Sequence, residues 1–253
     1  MMRITFLGTG TSHGVPMLGC SCPVCLSTDP RDKRYRSSIL IEQDGCSVII
    51  DTGYEFRLQC LRAHVGNLSG VLYTHAHSDH LMGLDDLRVF TRDSRMNIYS
   101  FQSILDEIKL KFPYAFIDKP NHGLPQLDCI SIDPYEHFKI GNTEFTAIPV
   151  YHGDNIIAGY RFGSVAYITD VSNIMLDVNL GYLKNLDVLI IGALREKPHP
   201  THYSFSEAAA VAKEINAKRT FFTHMNHSLS HVDISVRYKG IAMPAYDGLV
   251  LEV

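Results

Sequence analysis

His75, His77, Asp79 and His80 fall within six residues, in the run Thr74-His75-Ala76-His77-Ser78-Asp79-His80 that follows the apolar stretch Val71 to Tyr73. Three imidazoles and a carboxylate at this density are ligands for divalent cations, because a loop built only for solvation has no need of so many strong donors. His75 and His77 are two apart, so at a strand end they point to one side and grip one cation, while Asp79 and His80 continue onto the following turn. Neighbouring ligands that face different ways predict two metals. A second cluster, Cys20-Ser21-Cys22-Pro23-Val24-Cys25, places three of the six cysteines in one Gly/Pro-containing loop spanning 19–26. Three thiolates call for a metal and a fourth ligand. His227, three residues after His224, is the first choice for it and His231 the alternative, which gives a closed Cys3His tetrahedron that is structural and not catalytic. Cys46, Cys60 and Cys129 stand alone and read as core residues.

The elements that must position these groups alternate between apolar runs and helical patterns. Arg3 to Leu7, Ser38 to Glu42, Cys46 to Ile50 and Val71 to Tyr73 read as strands, the second and third joined by an Asp44-Gly45 turn. A second series comprises Phe145 to Val150, Ile156 to Phe162, Val165 to Ile168, Val188 to Ile191, Thr220 to Thr223 and Leu249 to Val253. Ser204 to Ala217 reads as a helix with Ser204 as N-cap and Glu207 completing a capping box. The spacing 101, 104, 105, 108, 112 predicts an amphipathic helix over Phe101 to Phe112. His75, His152, Asp170 and His224 each follow an apolar strand directly, which gathers them along one edge of a layered α/β structure.

The chain of 253 residues is 45% hydrophobic, enough for one sizeable domain over 1–253. Its formal charge of -4 and the absence of a Lys/Arg block argue against long nucleic acid as a partner. No apolar run is long enough to span a bilayer, and Met1 to Leu7 lacks the longer apolar region of a signal peptide. A reducing cytoplasm is therefore expected, where clustered cysteines serve as metal ligands.

The HxHxDH run, His152, the Asp170 that ends Ala166-Tyr167-Ile168-Thr169-Asp170, and the His224 of Phe221-Phe222-Thr223-His224 resemble, in order and spacing, the metallo-β-lactamase superfamily of four-layer αββα hydrolases. The resemblance implies one metal held by His75, His77, His152 and Asp170 and another by Asp79, His80, Asp170 and His224, with Asp170 bridging them. Asp51, at the end of Val48-Ile49-Ile50-Asp51, matches a position that supports the ligands without being one. Two ions share a hydroxide and neutralise substrate oxygens. Di-iron oxygen-reducing members carry glutamate at position 77, so histidine there favours hydrolysis.

Gly8-Thr9-Gly10-Thr11-Ser12-His13-Gly14, the cysteine loop and Arg34-Tyr35-Arg36-Ser37-Ser38 are similar to one branch, the phosphoribosyl 1,2-cyclic phosphodiesterases of the carbon-phosphorus lyase pathway. This implies hydrolysis of a small cyclic phosphodiester, of phosphoribosyl 1,2-cyclic phosphate or 2',3'-cyclic nucleotide type, by a metal-bridging hydroxide. It assigns the general acid to His202, with His199 close enough to compete for the role, and places Asp79 beside it in the catalytic set. The branch implies manganese or zinc in the catalytic pair, with iron a further candidate, one structural zinc, and a homodimer. The glycine-rich loop stands evenly between a phosphate-lining and a conformational role, and Arg34 and Arg36 between ion pairing and substrate contact. Tyr114 and Phe116, within Phe112 to Pro125, read as core aromatics before a substrate wall. Rival readings are a thioesterase or lactamase of the same fold, a relative of pyrroloquinoline quinone biosynthesis, and a non-catalytic metal-dependent binding module.

Overall fold

A computed structural model describes residues 1–117 and 123–253. Strands β1 (Arg3–Gly8), β2 (Ser38–Gln43), β3 (Cys46–Ile50), β4 (Gly70–Leu72), β5 (Met96–Ser100) and β6 (Leu127–Ser131) belong to the first of two sheets. Strands β7 (His137–Ile140), β8 (Thr143–His152), β9 (Asn155–Phe162), β10 (Val165–Ile168), β11 (Val188–Gly192), β12 (Arg219–Thr223) and β13 (Met243–Pro244) form the second. β14 (Val250–Glu252) returns to pair with β1, giving the orders β14-β1-β2-β3-β4-β5-β6 and β13-β12-β11-β10-β9-β8-β7. The helices are α1 (Pro23–Leu26), α2 (Phe56–Ala63), α3 (Ser78–Leu81), α4 (Gln102–Lys111), α5 (Leu176–Asn179), α6 (Phe205–Ile215) and α7 (His231–Arg237).

Both sheets are mixed. Neighbouring strands run antiparallel from β14 through β3 and from β7 through β10; the remaining pairs are parallel. One apolar core joins the inner faces, where Phe6, Ile4 and Val48 meet Phe145, Tyr160 and Phe162, and it continues under α2 and α4. A second core seals the outer face of the second sheet beneath α6 and α7, through Ile168, Leu189, Phe205 and Tyr238. Covered on both faces, β10 and β11 are buried at every residue, which is why they read as unbroken apolar runs. The result is the four-layer arrangement of two sheets flanked by helices.

Local chemistry sets the boundaries. Asp44 and Gly45 take φ 50° and 81° and close the two-residue turn between β2 and β3, as their types require. Ser204 and Glu207 form the reciprocal capping box. α6 stops at Ile215, two residues short of the expected Ala217, because Asn216 turns left-handed at φ 54° and returns its N–H to the Ala212 carbonyl. Phe101 and Phe112 flank α4 as its caps. α2 was not legible: Gln59 occupies a fully buried position beside Phe56 and Cys60, where its Nε2 donates to the Arg36 carbonyl at 2.8 Å, so a polar residue interrupts the apolar stripe. The edge strand β6 grades from buried Leu127 to exposed Ser131 and gives no alternation.

The glycines before β2 have a packing role. A Cβ on Gly8 would lie 2.0 Å from the Arg36 carbonyl oxygen, and one on Gly10 2.6 Å from that of Arg34, so the loop's composition is explained by close backbone approach. Phe112 is buried, and Tyr114 and Phe116 pack against the main core, Tyr114 donating to Asp85 at 3.0 Å. Residues 118–122 of that stretch lie outside the described residues.

The loops after β3 and β4 are stitched together. Thr52 N–H donates to the His80 carbonyl at 2.7 Å and Gly83 N–H to the Thr52 carbonyl at 2.8 Å. A Cβ on Gly83 would sit 2.3 Å from the Gly53 oxygen and 2.4 Å from Phe56 Cβ. Gly83→Ala should therefore lower stability by about 1–3 kcal/mol, the usual cost of overpacking, and thermal denaturation of the two proteins measures it.

Candidate metal centre

Every residue of the histidine run reaches the seam where the two sheets' loops meet. Past β4 the chain bends at Thr74 and reaches an extended His77, which precedes the single helical turn of α3 that carries Asp79 and His80. The rings of His75 and His77 lie 4.5 Å apart, and that of His152, at the end of β8, lies 5.4 and 5.1 Å from them. Asp79, His80, Asp170 and His224 make a second group in which all the donor atoms are mutually within 4.8 Å, as they are in the first. His80 Nε2 is 3.2 Å from Asp79 and 3.1 Å from Asp170; His224 Nε2 is 3.4 and 3.0 Å from the same two carboxylates. Asp170 also falls in a group with His152 and His202, so it stands between the two sets.

The donor spacing fits cations. Ligands bonded at ~2.0–2.2 Å around one ion lie about 3.0–3.5 Å from each other, the range that His80 and His224 show toward Asp79 and Asp170. His75 Nε2 is buried yet hydrogen-bonds to nothing. Buried polar atoms without partners are expensive unless something else satisfies them, and a divalent ion between these donors would. Burial works against the charge of Asp170, but His224 and His80 hold it well below the usual carboxylate range. Burial likewise opposes protonation of His80 and His224, and the surrounding carboxylates override it, raising His224 to about 9. Without metal this group holds its carboxylates with protons on imidazole; cations would take the place of those protons.

The donor side chains are aimed by a small set of hydrogen bonds. Asp51, fully buried, accepts from the Thr74 amide and hydroxyl at 2.8 Å each and pairs with His80 Nδ1 at 2.7 Å. Because the Thr74 hydroxyl gives its proton to Asp51, its oxygen accepts from His75 Nδ1 at 3.0 Å, which leaves His75 Nε2 as the free lone pair. His152 Nδ1 donates to the Thr201 carbonyl at 2.7 Å, again freeing Nε2. Asp51, Asp170 and His224 share a further device: all three follow a strand closely and take positive φ, 65°, 51° and 57°. That conformation is uncommon for residues other than glycine and clusters at functional sites; here it swings each side chain out of its strand toward the seam.

His202 Nδ1 lies 3.6 Å from Asp170, and its ring stacks on that of His224 at 5.0 Å and meets that of His152 at 4.7 Å. The same loop presents Thr201 to His152, so one segment both orients a ligand and carries His202. His199 lies outside the donor groups, with its Nδ1 engaged by Thr201 at 3.2–3.3 Å. Burial pushes His202 down to about 3 against the pull of Asp170. A cavity of about 360 Å³ opens beside His75, His77 and His152, walled by Ser103 and Glu107 of α4 and Asp154 after β8.

The cysteine loop closes on the other end of the chain. Cys20, Cys22, Cys25 and His227 bring one donor atom each within 4.8 Å of the others, His227 Nδ1 lying 3.4 Å from Cys20 Sγ and 3.2 Å from Cys22 Sγ. A tetrahedral zinc with bonds of ~2.3 and ~2.0 Å separates sulfur and nitrogen by about 3.5 Å, so the quartet suits it. The Met17 and Cys25 amides donate to sulfur at 3.4 Å, and Cys22 is drawn down to about 6 by the Cys25 amide and His227. His231, the alternative fourth ligand, is not in the quartet; its amide donates to Asp32. Arg34 is a structural residue. It is 1% exposed, pairs with Asp32 at 3.2 Å and donates to the carbonyls of Asn226 and Leu229, clamping both sides of His227. Arg36 pairs with Glu55 and donates to the Ser12 carbonyl. Sequence reasoning missed Thr74 and Thr201, whose roles depend on which nitrogen they free. It also missed the left-handed strand ends, for which the only signal was a polar residue closing an apolar run.

Residues 47–225 match the family model described as Beta-lactamase superfamily domain. A crystal structure of a new diphosphatase from the PhnP family superposes with TM-score 0.93 and 38% identity, over 100% of this chain and 98% of that one. Among curated proteins, an octanoyltransferase of Porphyromonas gingivalis is 36% identical over 254 residues, 98% of this chain. The chain spans about half (51%) of that relative's length. A ribonuclease Z of Bradyrhizobium diazoefficiens is 33% identical over 172 residues, 66% of this chain and 51% of its own. An end-to-end match at that identity, with the superfamily model over the ligand-bearing strands, establishes that the chain belongs to the metallo-β-lactamase superfamily of metal-dependent hydrolases and, within it, to the PhnP family.

Proposed function

We propose that the protein hydrolyses a phosphorus–oxygen bond in a small phosphodiester, with His75, His77, His152 and Asp170 holding one divalent ion and Asp79, His80, Asp170 and His224 the other. The observation that carries this reading is the place of His202, 3.6 Å from the carboxylate that stands between both donor groups. When bound, the ions supply an activated water and the positive charge that neutralises phosphoryl oxygens. Asp170 ties the two positions together, and Asp79 fixes the second against His80 and His224. The bond that forms joins the water oxygen to phosphorus; the bond that breaks joins phosphorus to the departing oxygen. His202 delivers a proton to that oxygen. Its neutral resting state reflects burial, and an approaching phosphate anion favours the protonated ring.

The substrates that fit are a cyclic phosphodiester of phosphoribosyl 1,2- or nucleoside 2',3'-type. A diphosphate linkage is the second reading, favoured by the similarity to a protein called a diphosphatase; the same residues would cleave either bond. Manganese or zinc, with iron as a further candidate, suits the mixed histidine and carboxylate donors. Cys20, Cys22, Cys25 and His227 hold a structural zinc, which implies a reducing compartment such as the cytoplasm. No helix of the described residues is long and apolar enough to cross a membrane. A net charge of -4 favours a small substrate over long RNA, and a homodimer is the expected assembly.

His202→Ala should cut hydrolysis of a 2',3'-cyclic nucleotide, whose ribose oxygen needs a proton to depart, by about 10²–10⁴ with metal content unchanged, measured on the same samples. Equal turnover by both proteins would contradict the assignment. Asp51→Ala, which strands His80 and Thr74, should weaken catalytic metal binding by about 10–100-fold, read by competition with a chelator. Cys22→Ser should remove one zinc per chain and lower thermal stability, as elemental analysis and calorimetry would report; unchanged zinc content would rule out the quartet as its site.

A further inference from the structure

A second cavity does not touch the metal centre. It encloses about 590 Å³ between α2 and the 3-10 helix Leu84–Val89, within the size range of small-molecule sites. Its floor is apolar, made by Phe56, Cys60, Val65 and Phe90, and the exposed Leu61 and Val89 carry that surface outward. Arg57 and Arg92 reach it from opposite walls, and among the described residues neither guanidinium makes an ion pair or hydrogen bond. Asp86 is the one carboxylate in the lining, so two fixed cations outweigh it. Unpaired guanidiniums beside an apolar floor complement a small organic anion with an apolar body.

The two walls are direct continuations of ligand loops. α2 begins five residues after Asp51, and the 3-10 helix begins four residues after His80. Between the cavity and the ligands lie the Thr52–His80 and Gly83–Thr52 backbone hydrogen bonds and the contact of Gly83 with Phe56. A Cβ on Gly53 would come 2.3 Å from the Asp79 carbonyl oxygen, so no slack separates these strips. Phe56, which lines the cleft, packs on Gly83, so a body in the cleft lies one residue layer from the backbone that carries Asp79 and His80. We propose that this cleft is an effector site for a small amphiphilic anion, such as a medium-chain carboxylate, and that its occupancy alters how firmly the centre holds its cations.

The test uses the metal-loaded full chain with 8-anilinonaphthalene-1-sulfonate as fluorescent probe and decanoate as competitor. Saturable one-site binding, displaced by decanoate and at least tenfold weaker in the Arg57→Ala/Arg92→Ala double variant, is the expected result. The Arg57→Lys/Arg92→Lys variant should keep binding within about threefold, and His202→Ala should leave it unchanged. Saturating decanoate should change the rate at which EDTA strips the metals at least twofold in the wild type and not in the Ala variant. Equal probe binding by wild type and Ala variant would overturn the site. An unaltered stripping rate would overturn the coupling. A concentration-dependent doubling of mass that blocks the probe and is abolished by Val89→Asp would assign the face to a second copy instead.

Discussion

The Asp51 carboxylate is the constraint on which the first sheet's share of the centre depends. It sits at a left-handed strand end with no solvent exposure, and it must spend both oxygens on Thr74 and His80. Burial pushes it up, and only the imidazole and the Thr74 donors make its charge tolerable. Those same bonds decide which nitrogens of His75 and His80 face inward. A carboxylate that binds no cation thus sets the chemistry of residues that would. The second sheet does the equivalent with weaker means, using a backbone carbonyl for His152 and the Thr169 hydroxyl, 2.8 Å from Asp170.

Placement by two independent sheets creates a registration problem, because donors from β4, β8, β10 and β12 must converge within a few tenths of an ångström. The shared core of Phe6, Phe145 and Phe162 fixes the distance between sheets. The N-terminal loop supplies the remaining restraint. Arg34 is buried among backbone carbonyls on either side of His227, and the cysteine quartet closes on the same segment, three residues past His224. Both devices immobilise one end of the loop whose other end carries the donor His224. An ion pair as buried as Arg34–Asp32 contributes little net stability; its value lies in holding this segment in one position.

The sequence carried more of the site than of its scaffold. Strong ligands are rare residue types in strand ends, so His75, His152, Asp170 and His224 stood out against apolar runs, and their convergence follows from sheet topology. The cysteine spacing called for a fourth donor without naming it, and only the fold sets His227 rather than His231 beside the three thiols. Strands buried on both faces announced themselves, whereas β6, β7 and β13 did not, because at the edge of a sheet or in a two-residue strand the pattern is lost. α2 and α7 were hidden for a related reason: Gln59 and His231 occupy buried positions that pattern reading assigns to solvent. The conformational role of Gly8 and Gly10 could not be told from phosphate binding until the Arg34–Arg36 backbone was seen against them.

The central claim is that water attacks phosphorus at the joint of the two donor groups. Hydrolysis of a 2',3'-cyclic nucleotide and of a diphosphate ester by the metal-loaded protein in H2¹⁸O, followed by ³¹P NMR and mass spectrometry, tests it most directly. The account predicts one ¹⁸O atom bonded to phosphorus in the nucleotide product with none in the freed ribose alcohol, and one ¹⁸O atom in only one of the two phosphate products of the diphosphate. Label in the alcohol, or no turnover of either ester by protein carrying its full complement of metals, would contradict it.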